Sequence, residues 1–192
     1  MLTKEVADKN KKSFLSAVKA YNICRPELIT KMEEMGLFTC PASTMVNLHN
    51  AFEGGLVDHA LRVAGYAVKI SETLPENIRP TKESVIRVSL LHGLGKVGLY
   101  TPCTSDWHRK NLGKMYEFNE NIISMTIGER SIYYIMSNNN GDMITNVEYQ
   151  AILNFEKTSD DAQAEWHTEA LGNVLRMAIK LAIIEEKSKL KL

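Results

Sequence analysis

Three histidines occupy positions where an imidazole ring could bind a metal ion. His49 precedes a Gly54-Gly55 break, and His59 lies in the helix predicted after that break. His92 ends a nearly apolar segment and is followed by a glycine-rich turn that contains Lys96. Imidazole is a common metal ligand, but a single histidine on an apolar helix is more often a core residue. Spacing alone therefore assigns none of the three a role.

A second group of candidate residues combines cations with an aromatic ring. Residues 107–114 read Trp-His-Arg-Lys-Asn-Leu-Gly-Lys. Cationic donors suit a phosphate, and the ring of Trp107 suits a nucleotide base. A solvated loop with a buried Trp107 explains the same pattern equally well, and Lys96 fits either a phosphate contact or an ordinary surface lysine. The candidate ligand-binding residues are His49, Glu53, His59, Arg62, His92, Lys96, Trp107, Arg109, Lys110, Asn111 and Lys114.

Helical periodicity dominates the elements that must position these side chains. The predicted helices cover residues 3–22, 26–35, 56–74, 84–92, 122–136, 146–155 and 165–189. Strand-like alternation is scarce, with one small hairpin expected near residues 100–118. A turn is predicted at 138–142 and a polar loop at 156–163. The sequence therefore predicts an all-α helical bundle with one small β-hairpin.

Length and charge restrict the class of protein. The 192 residues fit a single domain, 1–192, in which residues 1–36 form a helical appendage packed on the core. Lys plus Arg and Asp plus Glu both number 23, so the formal net charge is zero. This balance argues against binding genomic nucleic acid through global charge. It leaves room for a local site for a small phosphorylated ligand.

Other bulk features point to the interior of a cell. The three cysteines form no CxxC pair, and this pattern argues against a disulfide framework or a zinc ribbon. The polar residues 1–12 do not resemble a signal peptide, and no apolar run approaches the roughly 20 residues that span a bilayer. We expect a cytoplasmic location without membrane contact. Zero net charge and nine methionines permit a homo-oligomer without indicating one.

Two motifs carry a resemblance to a known family. Residues 49–61, His-Asn-Ala-Phe-Glu-Gly-Gly-Leu-Val-Asp-His-Ala-Leu, resemble the segment that opens HD-domain phosphohydrolases. Residues 90–96, Leu-Leu-His-Gly-Leu-Gly-Lys, resemble their His-Asp-Leu-Gly-Lys signature with one change. Weaker matches follow in the order found in small bacterial and phage HD proteins, at Trp107, 110–111, 116–119 and 128–131. The similarity covers about residues 40–185.

The resemblance implies an HD-domain-like helical bundle that holds one or two divalent metal ions through His and Asp side chains. In that family the metal activates water against a phosphate ester, usually of a nucleotide. The ligand positions that the resemblance implies include four without a ligand atom, namely Gly93, Ile127, Phe155 and Ile179. His59 and His92 are then vestigial ligands, unless a neighbouring carboxylate such as Asp142 substitutes.

Two imidazoles alone are a poor site for a hard cation that needs oxygen ligands, and zinc or nickel would lack a third or fourth ligand. Apolar side chains would deprive a cation of polar contacts. We therefore expect no catalytic residue, no metal and no cofactor. The expected function is that of a pseudoenzyme that binds a nucleotide or a nucleotide-derived signal. In a phage, this would mean sequestering a cyclic nucleotide or a similar immune signal. The alternatives are a divergent metal-dependent nucleotide phosphohydrolase and a protein-interaction module with a filled pocket.

Overall fold

Helices form most of the fold, as the sequence predicts. The computed structural model describes residues 2–137, 144–157 and 169–189. The helices are α1 (Lys4–Ala20), α2 (Pro26–Glu34), α3 (Gly55–Glu72), α4 (Lys82–Leu91), α5 (Ile127–Met136), α6 (Asn146–Leu153) and α7 (Ala170–Ser188). The strands are β1 (Tyr100–Pro102) and β2 (Tyr116–Phe118). The all-α architecture with one small hairpin is thus confirmed.

Two helices begin with a threonine and a glutamate that cap each other's backbone. Thr145 accepts a hydrogen bond from the backbone of Glu148, and the Glu148 carboxylate accepts one from the backbone of Thr145. Thr126 and Glu129 form the same reciprocal pair at α5. Such a capping box satisfies two backbone donors that a helix end leaves unpaired. The predicted start of α6 is confirmed, whereas the helix expected from residue 122 begins only at Ile127.

The glycine pair before α3 allows a tight approach between backbones. Gly54 has φ of +77°, which glycine adopts without strain. A Cβ atom on Gly55 would lie 2.2 Å from the carbonyl oxygen of Asn50. The chain therefore turns closely around Asn50, and this turn holds His49 beside the first turns of α3.

The core lies where α3 packs between α4 and α7. Helix α1 also packs on α3, and its Phe14 and Val18 belong to the same buried cluster as Leu91 of α4 and Leu175 of α7. Met32 of α2 is fully buried in that cluster. Helix α3 is the central element, so a side chain on its buried face contacts side chains of several other helices.

The hairpin pairs β1 and β2 in antiparallel fashion, with Tyr100 opposite Phe118. A π-helical turn at His108–Leu112 lies between the strands and ends at Gly113, whose φ is +63°. Met45 and Lys114 form an isolated bridge. These contacts hold the segment before α3, the residues around Met45, against the hairpin.

Several predicted features fall outside the described residues. They are the turn at 138–142, most of the loop at 156–163 and the beginning of the last helix at 165–168. The described part of that helix, α7, starts at Ala170. None of the described helices combines the length and apolar character needed to cross a membrane.

Candidate functional site

Two imidazole rings and one carboxylate meet at the centre of the bundle. His59 Nδ1 lies 2.9 Å and 3.1 Å from the two carboxylate oxygens of Glu186, and His49 Nδ1 lies 3.0 Å from Glu186 Oε2. The centroids of the two rings are 4.7 Å apart. His59 and Glu186 are only 2% and 3% exposed. We call His49, His59 and Glu186 the central cluster.

The buried face of α7 explains how a carboxylate reaches this place. Val174, Ala178 and Ala182 follow one another at four-residue spacing and are buried. Glu186 is the next position of the same stripe, since residues four apart lie on one face of a helix. Because α7 packs along α3, the stripe brings Glu186 to His59.

Arg62 connects the central cluster to a wider set of charges. Its Nε lies 3.3 Å from Glu186 Oε1, one of its terminal nitrogens donates to Asp58 at 2.9 Å, and the other contacts Glu185. Asp58 also accepts hydrogen bonds from Asn10 and Asn50, at 3.1 Å and 3.0 Å. The guanidinium predicted to bind a ligand is therefore held by three carboxylates of the chain itself.

Burial and hydrogen bonding together set the protonation of the central cluster. Desolvation lowers the pKa of His49 to about 4 and also lowers the pKa of His59, although hydrogen bonds to Glu186 act in the opposite direction. Burial would raise the pKa of Glu186, but the hydrogen bonds from the two histidines outweigh it and lower this pKa to about 2. At neutral pH both rings are neutral and donate from Nδ1 to an ionised carboxylate.

His92 lies beside the central cluster in different surroundings. Its ring centroid is 5.8 Å from that of His59, and its Nδ1 donates to the backbone oxygen of Ser89 at 2.8 Å. Phe155 meets the ring edge-on, with 4.9 Å between centroids. Burial lowers the pKa of His92 to about 3, so this ring is also neutral.

The metal site implied by the HD resemblance does not fit these surroundings. A Cβ atom on Gly93 would lie 2.9 Å from Leu56 Cδ1, so an apolar side chain fills the place of the expected Asp. Phe155 and Ile179 pack against the hydrophobic core. The expectation that His59 and His92 are the surviving ligands is incomplete, because His49 and the carboxylate of Glu186 lie closer to His59. Asp142 lies outside the described residues.

Lys96 is buried rather than displayed for a ligand. It is 8% exposed, and its Nζ donates to the backbone oxygen of Ala42 at 2.5 Å. Burial lowers its pKa, while Glu156 and Cys40 act to raise it. The structure thus places Lys96 under the segment before α3, as a buried amine with a backbone partner.

The remaining predicted residues lie apart from the central cluster. Trp107 is 61% exposed and stacks edge-on against His108, which rules out the buried tryptophan considered from the sequence. Arg109 contacts Asp106 and the backbone of Cys103, and Lys114 lies 3.7 Å from Glu117. The other two, Lys110 and Asn111, are exposed on the same π-helical turn. This turn forms a second candidate region for ligand binding, and it lies on the surface.

A cavity of about 740 Å³ separates α1 from the hairpin and the segment before α3. Its lining includes three aromatic rings and two lysines, Phe38, Phe52, Tyr116, Lys4 and Lys11. Glu53, a predicted ligand-binding residue, also lines it. Asn50 lines the same cavity and donates to Asp58, which connects the cavity to the charges around Arg62. We call this space the α1 cavity.

Glu186 is the site residue that the sequence reasoning missed. The resemblance places the terminal ligand at Ile179, seven residues earlier on the same helix. An acidic residue that continues a four-residue apolar stripe is the signal that identifies it.

Comparison with known proteins finds no relative of this chain. No protein-family model, curated protein or solved structure matches the chain. The HD resemblance therefore stays a prediction that depends on the motifs around His59 and His92.

Proposed function

We propose that the protein binds a nucleotide or a nucleotide-derived signal in the α1 cavity and does not hydrolyse it. The observation that carries the proposal is the lining of this cavity, which combines three aromatic rings with two lysines and two carboxylates. The Lys11 amine lies 4.7 Å from the centre of the Phe38 ring and also contacts Glu33. Its volume of about 740 Å³ falls within the range of roughly 300–1,000 Å³ that is typical of small-molecule sites. Rings and cations together match the base and the phosphate of a nucleotide.

The environment of His92 supports binding without hydrolysis. In HD-type chemistry a carboxylate beside this histidine anchors the metal that activates water. Here Gly93 supplies no ligand atom, Leu56 occupies the adjacent space, and Phe155 packs against the ring. A pseudoenzyme that captures a cyclic nucleotide, for example a phage protein that sequesters an immune signal, is consistent with this arrangement.

A thermal-shift screen with mononucleotides and cyclic dinucleotides tests the proposal, because a ligand that binds only the folded state raises the melting temperature. We expect at least one of these compounds to raise it, and Phe52→Ala to abolish the shift. Tyr133→Ala, at an exposed side chain of α5, is the matched control and should keep the shift. Unliganded melting curves of both variants verify that they fold.

Three results would contradict the proposal. No shift with any compound would favour an interaction module with a filled pocket. A shift that Trp107→Ala abolishes and Phe52→Ala preserves would place the ligand on the π-helical turn instead. Metal-dependent turnover that disappears in His92→Ala would identify a divergent phosphohydrolase. Mass spectrometry of a compound that co-purifies from cells identifies the ligand directly.

A further inference from the structure

The central cluster has the composition of a metal site that differs from the one the HD resemblance implies. His49, His59 and Glu186 can each offer one ligand atom, and these atoms lie within 4.8 Å of one another. Among the described residues, no other group of three or more histidine, cysteine or acidic side chains brings its ligand atoms this close together. It shares only His59 with the set implied by the resemblance.

The chemistry of the donors selects the class of ion. Two imidazole nitrogens and one carboxylate oxygen suit zinc and neighbouring first-row divalent metals. Magnesium and calcium require oxygen ligands almost exclusively, so this set does not suit them. Three protein ligands leave one position of a tetrahedral zinc ion for water or for an oxygen atom of a bound molecule.

The charges around the central cluster are compatible with a bound dication. Asp58, Glu185 and Glu186 all contact the single guanidinium of Arg62. Glu185 also pairs with Lys189 at 2.8 Å, and Lys96 acts electrostatically on both rings, so the charges around the cluster nearly balance. The ionised Glu186 supplies the anionic ligand, and the two rings are neutral, the form in which imidazole coordinates a metal.

We propose that His49, His59 and Glu186 bind one divalent transition-metal ion of the zinc class. The ion connects three distant parts of the chain, because His49 precedes α3, His59 lies on α3 and Glu186 lies on α7. His59 and Glu186 are almost fully buried, so an ion held between them fastens α7 to α3. Metal binding at the central cluster requires no nucleotide.

Zinc titration of the full chain, stripped of metal with a chelator, tests this assignment without any nucleotide. We expect one equivalent of zinc to bind and to raise the melting temperature, with magnesium having no comparable effect. Cobalt bound at the same site should give the visible absorption of a low-coordinate nitrogen–oxygen environment. His49→Ala and Glu186→Gln should each weaken zinc binding at least tenfold, since each removes or neutralises one ligand.

His108→Ala is the matched control, because this histidine lies on the π-helical turn away from the central cluster, and it should bind zinc like the parent protein. Circular dichroism of each metal-free variant separates loss of a ligand from loss of folding. Zinc binding that is absent, or that survives in both His49→Ala and Glu186→Gln, would overturn the proposal. Binding that requires His92 but not His49 would also overturn it. None of these outcomes decides nucleotide binding, which the metal-free protein tests separately.

Discussion

Phe155 meets the ring of His92 at an interplanar angle of 82°, with 4.9 Å between the ring centroids. The edge-to-face arrangement is favourable for aromatic pairs. It places an apolar side chain against a histidine that the sequence resemblance assigns to a metal. The contact therefore has a structural role that substitution can measure.

Phe155→Ala should lower the free energy of unfolding by about 2 kcal/mol, because it removes a partly buried ring from His92 and the core. Chemical denaturation measures this change. Phe118→Ala is the matched control, since Phe118 is largely exposed on the hairpin and should cost clearly less. Equal losses for the two variants would show that the contact with His92 adds nothing.

Glu148→Gln should destabilise the protein by about 3 kcal/mol, as expected for breaking a buried ion pair. The Glu148 carboxylate is fully buried and accepts hydrogen bonds from Arg87 and Ser84, both at 2.7 Å. Glu83→Gln removes the other carboxylate that contacts Arg87, but Glu83 is half exposed. Urea denaturation should show a much smaller loss for Glu83→Gln, and the reverse order would be inconsistent with the structure.

Acid should destabilise the fold in two stages. The folded-state pKa of His49, about 4, lies below its ordinary value of 6.5, so the unfolded chain binds this proton more readily. The contribution of His49 to stability is then complete above pH 6.5 and is lost as the pH drops toward 4. The pKa of Glu186, about 2 instead of 4.5, extends the loss below pH 4.5.

Urea denaturation at a series of pH values, in the presence of a chelator, checks this profile. His49→Ala should flatten the part between pH 6.5 and 4, because it removes one of the groups that titrate there. A free energy of unfolding that rises as the pH falls through this interval would contradict the assigned protonation states.

Gly95→Ala should be strongly destabilising, by about 3 kcal/mol. The added Cβ atom would lie 2.2 Å from the backbone oxygen of Ile127, and backbone cannot move aside as a side-chain tip can. Gly65→Ala is the matched control on the exposed side of α3, where a Cβ atom meets nothing within 4 Å. It should stabilise the protein by about 0.5–1 kcal/mol through helix propensity, and melting curves will show whether the signs differ.

Local signals in the sequence predict the helices well. Gly54-Gly55 marks the start of α3 and Thr145 marks the start of α6, because each acts through neighbouring backbone atoms. The helix predicted from residue 122 is wrong at its beginning, since the Thr126–Glu129 capping box outweighs the apolar residues before it. Short-range chemistry thus accounts for most of the helix boundaries.

The candidate site depends on contacts that no local pattern contains. His59 and His92 are recognisable from their motifs, but Glu186 lies 127 positions from its partner His59. Only the packing of α7 on α3 brings the two together. The charges of Arg62 and Lys96 predict ligand contacts, yet the folded chain supplies partners for both.

The order of the central cluster along the chain has a consequence for synthesis. His49 and His59 leave the ribosome long before α7 does, and until then the carboxylate of Glu186 is not beside them. Their side chains acquire the hydrogen-bond acceptor on which their arrangement depends only when Glu186 emerges. Docking of α7 is therefore the step that converts two solvated imidazoles into a closed polar centre, and a nascent chain that lacks α7 exposes the apolar face of α3.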